Sequence, residues 1–286
     1  MLKLDSLSAC LVSKHRKSKQ IHPALNSAFG WQVTAIDKFN TDMLGTFSGE
    51  CERTLTAIDC AVYKAEKALS LSDNDIGLGS EGSFNPDLYG LMTVNQELLA
   101  CVHREHGLLA IGQAAKPVNI DTWTLQPQES NKLTSIVDAL PTEQALILRL
   151  INGESEQGNK YYGDVQKGLI NKEQVFAAFN LLTAIDASKA IEVTYDLRAM
   201  HCPQRRSTIT LAAENLVERL QSNCPNCDAI NFYPQKQLPG LPCETCHLPT
   251  SVIKAYQAKC AQCGFETTTP VKQKTASTVN CSFCNP

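Results

Sequence analysis

The stretch Leu7-Ser8-Ala9-Cys10-Leu11-Val12-Ser13-Lys14-His15-Arg16-Lys17 sets the fold class. Its first half reads as a buried strand and its second half as a basic turn. Apolar spacing beyond it predicts a short helix to about Ala28. A strand handed to a helix through a polar turn is the repeating unit of α/β architecture. The pattern continues outward. Trp31 to Ile36 reads as a strand, and Leu55, Ile58, Val62, Ala65 and Leu69 recur at helical spacing. Ile76 to Gly79 reads as a short strand that enters a turn, Ser80-Glu81-Gly82-Ser83-Phe84. Leu98 to Glu105 and Leu108 to Ile111 predict a hairpin. Ala145 to Leu150 and Ala190 to Tyr195 are further strands. Asn171 is placed to cap a helix running to about Ile185, and Ser207 to Leu220 predicts a helix leading to Cys224. The expected architecture is an α/β (mixed α+β) main domain over 1–200, a linker helix over 201–223 and a small double zinc ribbon over 224–286.

The 286 residues are 43% hydrophobic and 19% charged, as in an ordinary globular protein, and the formal net charge of −3 gives no general attraction to nucleic acid or an anionic membrane. No apolar run is long enough to span a bilayer. Lys3 and Asp5 interrupt the first apolar residues, so no export leader is expected, and the expected location is the reducing cytoplasm. Disulfides are therefore not expected among the 13 cysteines.

Eight of those cysteines form four Cys-x-x-Cys pairs in the tail: Cys224/Cys227, Cys243/Cys246, Cys260/Cys263 and Cys281/Cys284. Fifteen residues separate Cys227 from Cys243 and seventeen separate Cys263 from Cys281, which is zinc-ribbon spacing. Each pair presents two thiolates to one metal, and two pairs complete a tetrahedron. The expectation is two structural zinc ions bound sequentially, one on the first two pairs and one on the last two. An interleaved cross-brace uses the same cysteines, and iron is the rival metal. With all positions filled by sulfur, neither ion keeps a site for catalytic water. Five lysines and three acids in the tail, set against the negative charge of two Zn(Cys)4 centres, argue against a nucleic-acid surface and for packing on the rest of the chain or a protein contact. The scattered Cys10, Cys51, Cys60, Cys101 and Cys202 read as small buried hydrophobes.

Three stretches of the front region carry candidate chemistry. Lys14 and Lys17 in the basic turn could hold phosphates at a helix N-terminus, or form a solvated turn. Gly45 to Arg53 places Glu50 and Arg53 on a glycine-containing loop before a helix, where acids could reach a site or cap the helix. Glu81 and Ser83 follow a strand, where carboxylates can hold Mg²⁺, or form a plain turn. Asp196, Arg198, His201, Arg205 and Arg206 lie between a strand and the last helix. The arginines there either clamp a phosphate or carboxylate or make structural ion pairs.

The order of these pieces resembles the inosine/xanthosine triphosphate pyrophosphatases over about Leu7 to Leu182. That resemblance implies Mg²⁺ on Glu50 and Glu81, with Lys14, Lys17 and Lys167 neutralising phosphates. The acidic loop lacks that family's run of acids, and Ser83 replaces its second glycine. The whole chain is also similar to a bacterial family of unknown function. The shared stretches are GTF-x-GE-x-x-R (Gly45 to Arg53), SEGSF (Ser80 to Phe84), a D-x-RA segment (Asp196 to Ala199) and Gly-Leu-Pro-Cys (Gly240 to Cys243). The functional expectation is a Mg²⁺-dependent nucleotide or phosphate hydrolase using Glu50, Glu81 and Lys14, with Lys17, Arg53, Ser83, Lys167, Arg198 and Arg205 binding substrate. The alternative is a non-catalytic nucleotide- or anion-binding protein whose ribbons contact a protein partner.

Overall fold

A computed structural model describes residues 2–13, 16–44, 55–155, 158 and 160–286. The described residues form two sheets with their helices and a cysteine-rich tail that carries a third, three-stranded sheet. The first sheet has the order β2-β1-β3-β4-β5, built from β1 (Ala9–Val12), β2 (Val33–Ile36), β3 (Ile76–Pro86), β4 (Thr93–His103) and β5 (Gly107–Val118). β2, β1 and β3 run parallel, while β3, β4 and β5 form an antiparallel meander.

Side-chain alternation sends each strand's residues to opposite faces. On one face, α1 (Ser18–Phe29) and α5 (Pro203–Gln221) cover Leu11, Leu78 and Leu99 through Ile21, Leu25, Ile209 and Leu216. On the other, α2 (Ala57–Ser70) lays Ala61, Ala65 and Leu69 on Leu98, Ala100 and Val102. The helix expected as a linker over 201–223 is thus a core helix. Its small residues explain why: a Cβ at Gly112 of β5 would lie 2.3 Å from the Ala212 carbonyl oxygen. Gly77 and Gly79 admit α2 equally closely, with Cβ positions 2.1 and 1.9 Å from the Ala65 and Ala61 carbonyl oxygens.

The stretch Ser80 to Phe84, expected as a turn, lies inside the eleven-residue β3 and pairs in register with β4 from Leu99 to Asn95. Glycine and serine there serve close packing and not chain reversal.

The second sheet is antiparallel, in the order β6-β9-β7-β8, from β6 (Thr122–Leu125), β7 (Leu146–Glu154), β8 (Lys160–Leu169) and β9 (Ile191–Tyr195). The region expected as one α/β domain therefore contains two separate sheets. α3 (Ser130–Asp138) and α4 (Lys172–Ile185) share its core, which includes Leu133, Leu148, Phe179 and Val193. Asn171 caps α4, its side chain accepting from the Gln174 amide at 2.9 Å, as its position predicted. Among the described residues, no helix is long and apolar enough to cross a membrane.

Candidate functional site

The tail is a meander of β10 (Pro234–Pro239), β11 (Ile253–Lys259) and β12 (Glu266–Pro270). Each Cys-x-x-Cys pair closes a turn in which the amide following the second cysteine donates to the carbonyl of the first, at 2.8 to 3.1 Å. The residues after the second cysteine in the first three turns, Asp228, His247 and Gly264, take positive φ. The cysteines gather as Cys224, Cys227, Cys260 and Cys263, and as Cys243, Cys246, Cys281 and Cys284. This interleaved pairing overturns the sequential expectation. The strands supply the reason. Each antiparallel strand returns the chain to the opposite end of the meander, so the first and third turns meet at one end and the second and fourth at the other.

The tetrads fit a tetrahedral metal. Sulfur pairs stand 3.7 Å (Cys224–Cys263), 3.6 Å (Cys227–Cys260), 3.9 Å (Cys243–Cys284) and 3.5 Å (Cys246–Cys281) apart. Four sulfurs about 2.3 Å from a central zinc stand about 3.8 Å apart, whereas a disulfide needs about 2.05 Å. The tail joins the C-terminal end of α5, where Arg219 lies over the Tyr233 ring and Ile230 packs against the first core.

At the other end of α5 the chain buries charge. Lys17, Glu81, Glu97 and Arg205 are 6%, 6%, 0% and 1% exposed. They lie where β1 has ended and β3 continues. Here α1 covers one face of the parallel strands and α2 the other, the kind of switch point at which open α/β sheets bind ligands. Arg205 Nε donates to Glu97 Oε1 at 2.6 Å, and its Nη1 donates to the Leu197 carbonyl at 2.8 Å. Lys17 Nζ donates to Ser80 Oγ at 3.1 Å and stands 3.9 Å from Glu97 Oε2. Asn95 Nδ2 donates to Glu97 Oε1 at 3.1 Å, while Asn95 Oδ1 is buried with no partner among the described residues. A Cβ at Gly82 would fall 2.2 Å from Glu97 Oε1, so glycine makes room for the ion pair.

Glu81 turns to the opposite face. Lys64 of α2 pairs with it, and the Cys60 thiol donates to it at 3.4 Å. Burial, reinforced by the Arg205 guanidinium, lowers Lys17 from the usual 10.5 to about 7. Neither Glu97 nor Lys64 was singled out from sequence. The signal was present: each is a charged residue at an inward position of an apolar segment.

Next to this network, a pocket of about 570 Å³ is lined by Ser13, Arg16, Ser18, Lys19, Ala35 and Asp37. It covers the start of α1, which has no side-chain cap and no acid in its first turn. From the second sheet, Asp196 accepts from Arg198 Nε at 2.9 Å and from the Gly168 amide at 3.2 Å. Burial, opposed by Asp196 and reinforced by Arg198, Arg16 and Arg206, lowers the pKa of His201. Gly168 packs beside Arg198 and His201, with Lys167 next to it on β8, and Arg205 holds the neighbouring Leu197 carbonyl. Ser83, on β3, accepts from Asn85 through its hydroxyl and from Asn95 through its carbonyl. The structure thus brings Lys17 and Arg205 together on Glu97, with Arg198 next to the Leu197 that Arg205 holds, whereas Glu81 lies on the opposite face with Lys64. Lys14, Glu50 and Arg53 lie outside the described residues. Of the scattered cysteines, Cys10, Cys60, Cys101 and Cys202 are buried, as expected, and Cys51 lies outside the described residues.

These features define a mixed α/β protein with a buried charge network at a switch point, a polar pocket at the start of α1 and a tail of two cysteine tetrads able to hold metal. The chain belongs to the DUF6671 family, a domain of unknown function, which matches residues 64–286. The matched stretch holds Lys64, Glu81, Glu97, Arg205 and all eight tail cysteines, and Lys17 precedes it. Searches of curated proteins and of solved structures find no significant match.

Proposed function

We propose that the chain binds and hydrolyses a small phosphorylated molecule, a nucleotide or a related phosphate ester, in the crevice at the start of α1. One observation carries this reading: a pocket lined by two hydroxyls, two cations and a single carboxylate, Asp37, opens on a helix N-terminus without a side-chain cap, next in sequence to the buried Lys17. Helix amides and cations together favour phosphate and stabilise charge on a transferring phosphoryl group. The likeness to nucleoside-triphosphate pyrophosphatases supports the substrate class. Mg²⁺ would come with the substrate's phosphates and would neutralise their charge, since the Glu81 carboxylate is already held by Lys64. The metal of the tail is zinc. α5 is 19 residues, about 28 Å, long and separates it from the crevice, so its role is structural. Exposed Val279 and Phe283 at the fourth cysteine turn suit a protein contact, and the closed thiolate tetrads suit the cytoplasm.

The Lys64–Glu81 pair favours a second reading, a non-catalytic anion holder, because an acid neutralised by an ammonium is a weak metal ligand. Hydrolysis separates the two readings. Zinc-loaded protein is incubated with Mg²⁺ and a panel of common and deaminated nucleoside triphosphates, and phosphate and pyrophosphate are both assayed. Turnover lost in Lys17→Met supports the enzyme. Saturable binding without turnover supports the holder.

A further inference from the structure

We infer that Ser80 is a nucleophile, with Lys17 as its general base and Glu97 orienting the lysine. The inference rests on the proposed reading of the crevice: Ser80, itself buried, meets the crevice wall through Lys17, which stands in sequence between the lining residues Arg16 and Ser18. Its basis is geometric. Activated nucleophiles are recognised by a hydroxyl within hydrogen-bond reach of a base that a third group holds in place. Lys17 Nζ stands 3.1 Å from Ser80 Oγ and 3.9 Å from Glu97 Oε2. Glu97 is in turn fixed by Arg205 and Asn95. Position supports the assignment too. The last register pair between β1 and β3 is Leu11 with Leu78, so Ser80 is the next residue of β3 on the α1 face, where the neighbouring strand has stopped. It therefore lies beside the turn that leads into α1.

A base must be neutral to accept a proton. Four charged groups act on Lys17 from the elements around it: Arg205 of α5 and Lys64 of α2 oppose its charge, and Glu97 of β4 and Glu81 of β3 favour it. With burial the balance lowers Lys17 to about 7, which brings the neutral amine within reach near neutral pH. In the first step Ser80 Oγ bonds to phosphorus, the bond from phosphorus to the leaving alkoxide or phosphate breaks, and the Ser80 proton moves to Lys17 Nζ. In the second, water attacks phosphorus, the Oγ–phosphorus bond breaks, Lys17 returns its proton to Ser80, and of the water's two protons one stays on the released phosphate and the other passes through solvent to the departed leaving group. The sum is hydrolysis, with no oxidant or reductant.

A fluorophosphonate reagent tests this on the full zinc-loaded protein, because it phosphonylates activated serines and expels fluoride. It carries no nucleotide and no anionic phosphate, so it reports on Ser80 whether or not a phosphate ester binds. Mass spectrometry should find one adduct, on the peptide containing Ser80, forming at a rate that rises with pH around a midpoint near 7. Ser80→Ala should give none, and Lys17→Met should react about a hundredfold more slowly while retaining the wild-type circular dichroism spectrum. Folded wild-type protein with no adduct on Ser80 up to about pH 9, or Lys17→Met reacting at the wild-type rate, overturns the assignment. Nucleotide hydrolysis without labelling would retire Ser80 and leave the crevice reading standing.

Discussion

Arg205 on α5 donates to Glu97 on β4 across 2.6 Å, joining residues 108 positions apart in a site where both are buried. Removing one partner leaves the other charged and unpaired in the core, which costs about 3–5 kcal/mol, whereas replacing both with apolar residues is often nearly neutral. Glu97→Leu and Arg205→Met should each lower the urea midpoint sharply, and the double variant should recover most of the loss. Additive losses would show that the two do not act as a pair.

Gly82 gives way to that pair, and its absent side chain is testable alone. Gly82→Ala should destabilise by about 3 kcal/mol, because its Cβ would meet Glu97 Oε1 at 2.2 Å. Gly153→Ala, on the second sheet with nothing within 4 Å of its Cβ, is the control and should melt within a degree or two of wild type.

Lys17 makes stability depend on pH. Its folded value of about 7 lies below the ordinary 10.5, so between those values the folded chain has shed a proton that the unfolded chain keeps. Unfolding free energy should therefore rise as pH increases through that window, and the burial penalty should be fully present below about pH 7. The difference between wild type and Lys17→Met isolates this group. Chemical denaturation at about pH 6 and about pH 9 should show Lys17→Met gaining on wild type at the lower pH.

The interleaved tetrads make a prediction that sequential ones do not. Cys243→Ser should release one of two bound metals and expose Cys246, Cys281 and Cys284 to iodoacetamide, leaving Cys224, Cys227, Cys260 and Cys263 protected. Sequential binding would instead expose Cys224, Cys227 and Cys246. Peptide mapping after alkylation reads the answer directly.

The cysteine ligands were legible because Cys-x-x-Cys turns are local. Their pairing was not, because spacing counts residues without saying that β10, β11 and β12 reverse the chain at each end. Helices α1, α2 and α4 and strands β1, β2, β7 and β9 followed from apolar periodicity. β3 was cut short at Gly79 because Gly-Ser-Glu-Gly-Ser reads as a turn, whereas Gly77, Gly79 and Gly82 are there to admit α2 and the Glu97–Arg205 pair. The short, polar α3 and the irregular β8 carry little periodic signal, and both went unread. Glu97 and Lys64 matter through partners distant in sequence, which only the fold brings together.

The central claim is that the α1 crevice holds phosphate, and titration calorimetry with pyrophosphate tests it most directly. Zinc-loaded wild-type protein at pH 7 should show saturable binding to one site. Arg16→Ala with Lys19→Ala, exposed pocket residues outside the buried network, should weaken it about tenfold or more, and added salt should weaken it further. No saturable heat, or binding unchanged in the double variant, would contradict the account.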